Sequence, residues 1–131
     1  MARNGVLLID DEEMFVDSSR KILQREGFRE HCQIRPEEAL EFFRTNHDTV
    51  GLAIVDVTMP GLTGFQLSRL FSFIDPEVPI ILMCGSPISS QDITDLPNVK
   101  MVLQKPFIRR EFVEAIASFV ERIEDAHPSA P

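Results

Sequence analysis

The run Val50-Gly51-Leu52-Ala53-Ile54-Val55 leads through mostly apolar residues into Asp56, and Met59-Pro60-Gly61 stops it soon after. A short unbroken apolar run bounded by turn signals reads as a strand buried on both faces, the kind found in parallel sheets. Asp56 is its last residue, so the carboxylate leaves the core at the strand's C-terminal end. In open α/β sheets, ligands bind along that edge. The same logic opens the chain, where Val6-Leu7-Leu8-Ile9 ends in Asp10-Asp11.

The remaining segments complete an alternating pattern. Residues 28–34 are mixed in polarity, as an edge strand is. Residues 78–84 contain the most apolar run, Ile80-Ile81-Leu82-Met83, and read as a central strand; residues 99–103 give a fifth. Between them, Asp11-Glu12-Glu13 places negative charge where a helix N-terminus favours it, and that helix runs to about Glu26, with Gly27 as its stop. Pro36 opens a second helix with Ala39, Leu40 and Phe43 on its apolar face. Leu67, Leu70, Phe71 and Ile74 recur at i, i+3, i+4, i+7 and define a third. Residues 88–96 have helix length but three β-branched residues and two serines, which predicts a short or frayed helix. Residues 108–123 form the last and most periodic one.

Five strands alternating with five helices predict a doubly wound parallel α/β sheet in the flavodoxin-like order 2-1-3-4-5. That order makes strands 1 and 3 neighbours and brings Asp10, Asp11 and Asp56 together at one rim. The ends of strands 4 and 5 add Cys84 and Lys105 to it.

Composition limits the partners. A chain of 131 residues suits one domain, read as residues 1–126, with 127–131 a disordered tail or the start of a linker. The formal charge of -8 argues against duplex DNA or an anionic membrane as the main partner. Cys32 and Cys84 have no pair spacing, so no disulfide framework or zinc site is expected. With no signal region and no membrane-length apolar run, the expected location is the cytoplasm.

Three carboxylates at one rim repel one another, so either their pKa values rise or a cation neutralises them. An all-oxygen site with room for water suits Mg2+, and the Thr58 backbone carbonyl, two residues past Asp56, is a candidate fourth ligand. A carboxylate beside Mg2+ and a lysine is equipped to attack phosphorus and form an acyl phosphate. In that chemistry Asp56 attacks, Asp11 and Asp10 hold the metal, and Lys105 pairs with a phosphoryl oxygen.

Asp10-Asp11 after strand 1, Asp56 ahead of Met59-Pro60-Gly61, and Lys105-Pro106-Phe107 after strand 5 resemble the receiver domain of two-component response regulators. The resemblance spans about residues 5–124. It implies a phosphoacceptor rather than an enzyme, with Mg2+ as cofactor. Asp56 would take a phosphoryl group from a phosphohistidine on a sensor histidine kinase or histidine phosphotransfer protein. It further implies a cis Lys105-Pro106 bond and an output face made of the fourth helix, fifth strand and fifth helix, where a homodimer or another partner would bind. Membrane and direct nucleic-acid binding are not expected of this domain. Two positions depart from the family pattern. Cys84 stands where the family has Thr or Ser, and Val102 where it often has Tyr or Phe, so the usual hydroxyl–aromatic switch is missing. That departure motivates an alternative, a degenerate receiver acting as a phosphorylation-independent interaction module.

Overall fold

The computed structural model describes residues 3–123. Strands β1 (Gly5–Ile9), β2 (Arg29–Gln33), β3 (Val50–Asp56), β4 (Ile80–Cys84) and β5 (Val99–Gln104) form one sheet in the order β2-β1-β3-β4-β5. Every neighbouring pair is parallel. Helices α1 (Glu13–Arg25), α2 (Pro36–Asn46), α3 (Gly64–Ile74) and α4 (Arg109–Ala117) cover the two faces. Strand order reverses between β1 and β3, and the crevice at that switch point is where the expected acids lie.

The apolar runs are continuous because both faces of the sheet are covered, and successive side chains serve opposite layers. Val6, Leu8, Leu52, Ile54, Ile81 and Met83 meet Val16 and Leu23 of α1 and Phe112 and Ile116 of α4. Leu7, Ile9, Ala53, Val55, Ile80 and Leu82 meet Ala39 and Phe43 of α2 and Leu67 and Phe71 of α3. Phe43 and Phe71 stack with centroids 4.3 Å apart, joining α2 to α3. Each such side chain, fully buried, contributes about 1.5–3 kcal/mol of transfer free energy.

Gly27 ends α1 as its sequence position suggests. It adopts φ 82°, and the Phe28 and Gly27 N–H groups donate back to the Leu23 and Gln24 carbonyls. This is a left-handed cap that satisfies carbonyls the helix leaves open.

Two helices differ from expectation. Residues 88–96 hold only a 3-10 turn, Ser90–Ile93, capped by Ser89 and Asp92, so the described residues contain four α-helices rather than five. β-branched residues and serines favour local side-chain bonding over helix propagation, and Pro97 closes the segment. The last helix ends at Ala117, short of the periodic pattern's end at Ile123. Beyond it, Arg122 Nε and the Ile123 N–H donate to the Glu26 and Gly27 carbonyls at 2.7 Å, so α1's open end takes those donors. The expected tail at 127–131 lies outside the described residues.

Gly64 seats the start of α3 against the end of β3. A Cβ at Gly64 would stand 2.4 Å from the Asp56 carbonyl oxygen and 2.7 Å from Val57 Cα, while the Gly64 N–H donates to the Val57 carbonyl. Both obstacles are backbone, so a methyl there forces the strand end to move. Gly64→Ala is expected to lower unfolding free energy by about 2 kcal/mol, read as an earlier urea midpoint with unchanged slope. An unchanged midpoint would show that the strand end has slack.

Candidate functional site

Each strand end delivers one group to the rim. Asp10 follows β1 and is 1% exposed. Its Oδ1 accepts the Glu12 N–H at 2.9 Å and its Oδ2 accepts Lys105 Nζ at 2.6 Å. Asp56 closes β3 and is also buried, with Oδ1 3.5 Å from the same Nζ. Asp11 is exposed, and one oxygen from each of the three acids lies within 4.8 Å of the others. Lys105 follows β5, and its N–H donates to the Cys84 carbonyl at 2.7 Å, continuing the β4–β5 pairing one residue further. The Lys105–Pro106 bond is cis, as the resemblance implies.

Electrostatics follow from this packing. Burial, reinforced by the charge of Asp10, pushes Asp56 up to about 6; Lys105 opposes the rise without cancelling it. Burial alone would lower Lys105, but its bonds to Asp10 and Asp56 outweigh burial and hold it above the ordinary lysine value. Burial and then the Asp56 charge push the Cys84 thiol up. Cys84 is therefore a neutral thiol at neutral pH, and its Sγ donates weakly to the Leu103 carbonyl at 3.8 Å.

All five side chains expected at the rim stand at strand ends of this one edge: Asp10, Asp11, Asp56, Cys84 and Lys105. Thr58 and Ser86 are exposed in the loops that follow β3 and β4. Val102 is 36% exposed on β5. Phe15, near the start of α1, was not among the rim residues expected from sequence; its ring lies 4.4 Å from Lys105 Nζ.

Three carboxylate oxygen donors this close fit a hard divalent cation better than a soft one. The response regulator receiver domain family matches residues 6–117. The chain belongs to that family. As a receiver it is 28% identical over 117 residues to the heme response regulator HssR of Staphylococcus saprophyticus, covering 88% of this chain and 51% of that protein. It is 36% identical over 81 residues to the phosphoglycerate transport regulator PgtA of Salmonella typhimurium, covering 62% of this chain and 19% of that one. The receiver thus spans about half the length or less of these curated relatives. Its fold is shared with chemotaxis protein CheY4 of Vibrio cholerae, at TM-score 0.82 and 21% identity over 91% of this chain and 100% of that one. The response regulator TrrA of Thermotoga maritima, solved in complex with Mg2+ and BeF, matches at TM-score 0.74 and 26% identity over 88% and 97% of the two chains. Among the described residues no helix of this receiver is long and apolar enough to cross a membrane.

Proposed function

We propose that this receiver accepts a phosphoryl group on Asp56 from the phosphohistidine of a sensor histidine kinase or histidine phosphotransfer protein. The carrying observation is the close set of Asp10, Asp11 and Asp56 with Lys105 Nζ 3.5 Å from Asp56. Asp10, Asp11, Asp56 and the Thr58 carbonyl are the groups to hold Mg2+, which supplies charge neutralisation for the transfer. A carboxylate oxygen of Asp56 bonds to phosphorus as the phosphorus–nitrogen bond breaks, and the imidazole leaves. Lys105, already directed at Asp56, pairs with a phosphoryl oxygen. The protein's work is placement and charge, since the transfer needs little else.

The test is the intact mass after incubation with acetyl phosphate, with and without Mg2+. One phosphoryl adduct that requires Mg2+ supports the proposal. Adduct formation that ignores the cation contradicts it. The absence of Trp and Tyr makes mass a better readout than fluorescence.

Metal binding carries its own pH signature. A proton on Asp56, whose pKa is pushed up to about 6, competes with the cation. Calorimetric Mg2+ affinity near pH 5 is expected to be roughly tenfold below that near pH 7. A flat pH profile would remove Asp56 from the ligand set.

The signal leaves through the face formed by the Ser90–Ile93 turn, β5 and α4, where Val102 and Ile108 are exposed. A homodimer or another protein docks there, in the cytoplasm. Cys84 favours a second reading, an interaction module indifferent to phosphorylation, because its weak donor is spent on Leu103. In that case Asp56→Asn leaves partner affinity unchanged. Affinity that tracks phosphorylation excludes it.

A further inference from the structure

Three groups hold the Lys105 ammonium: Asp10 at 2.6 Å, Asp56 at 3.5 Å and the Phe15 ring at 4.4 Å. The first two are carboxylates that the proposed function commits to a cation and to phosphorus. Once their charge is shared, their hold on the lysine weakens. The ring's quadrupole is unaffected by either event.

The ring is itself fixed from behind. Phe107 meets it edge-on at 6.0 Å and 80°, and stacks on Phe112 at 5.4 Å and 12°. Phe112 is 2% exposed, within the core layer beneath α4. Lys105 borders an open hollow of about 270 Å3, which Phe15, Pro106 and Phe107 also line. A flexible four-carbon stem beside such a hollow has room to swing away.

We infer that Phe15 is a positioning residue for phosphoryl transfer: its ring face keeps Lys105 Nζ at the site while the carboxylates change partners. The inference rests on the phosphoacceptor reading above and adds a residue outside the acid cluster. Phe15 touches neither the metal nor the phosphoryl group and acts through the lysine alone.

The test uses the full chain carrying Phe15→Leu, Phe15→Tyr, or mono- to trifluorinated phenylalanine at position 15. Fluorine drains the ring face with little change of shape, so a merely structural role would not follow it. Phosphorylation by saturating acetyl phosphate with Mg2+ is expected to slow roughly fivefold in Phe15→Leu. It is expected to recover in Phe15→Tyr and to fall stepwise with each fluorine, with little change in the half-saturating acetyl phosphate concentration. In metal-free protein the Lys105 ε-proton NMR signals should lie upfield in the unaltered chain and lose that shift in Phe15→Leu. A rate unchanged by Phe15→Leu, a flat fluorine series, or identical ε-proton shifts would overturn the role while leaving Asp56 as acceptor. An unaltered chain that takes up no phosphoryl group would instead overturn the phosphoacceptor reading, and this role with it.

Discussion

Asp56→Asn is expected to abolish phosphoryl uptake and, without metal, to make the fold more stable near pH 7. With Asp56 as the proposed acceptor, replacing its carboxylate by an amide lowers uptake by about three orders of magnitude or more. The stability gain comes from the cost of burying the carboxylate. Burial first, then Asp10, moves Asp56 from 3.8 up to about 6. Between those values the folded chain binds more protons than the unfolded one, so unfolding free energy falls as pH rises through the window. The accumulated loss is about 2–3 kcal/mol, fully present above pH 6 and absent below about pH 4. The variant lacks this titration. Urea unfolding followed by circular dichroism in a chelator should show it more stable than the unaltered chain near pH 7 and equal near pH 4. A variant less stable at pH 7 would mean the carboxylate is held by more than it is opposed by.

Lys105→Met should move two properties in opposite directions. Phosphoryl transfer is expected to slow by about 10²–10³-fold, the usual cost of removing one preorganised charge from a developing anion. Mg2+ affinity is expected to rise by about tenfold or more, because the cation no longer shares its carboxylates with an ammonium 2.6 Å from Asp10. In the metal-free state Asp10 is 1% exposed and loses its ion partner, which costs about 3 kcal/mol of stability. Calorimetry and the mass assay on one preparation separate these effects. Weaker Mg2+ binding in the variant would show that the lysine builds the metal site rather than competing with it.

The architecture was legible because the strongest signals are local. Apolar runs such as residues 6–9 and 80–83, bounded by turn signals, read as strands covered on both sides, and the acids at their ends marked one sheet edge before any pairing was known. The strand order followed from alternation and handedness. What stayed hidden depends on groups far apart in sequence. α4 stops at Ala117 although its apolar period continues, and five and six residues on, the Arg122 side chain and the Ile123 N–H donate to the carbonyls of Glu26 and Gly27. His47 Nδ1 lies 2.7 Å from Asp75, which also accepts from Arg3, pairings that no local pattern marks. Within the site, Lys105 is closer to Asp10 than to Asp56, and its contact with Phe15 joins residues that no spacing rule relates. Residue types located the acid and lysine cluster; the long-range contacts decide how each charge is held.

The most direct measurement locates the phosphoryl group. The chain is phosphorylated with acetyl phosphate and Mg2+, reduced with borohydride, which converts an aspartyl phosphate to homoserine, and sequenced by tandem mass spectrometry. Conversion at Asp56 alone, lost when Mg2+ is withheld, is the predicted result. Conversion at Asp10 or Asp11, or a phosphoryl group on a residue borohydride does not reduce, would contradict the assignment of Asp56 as the acceptor.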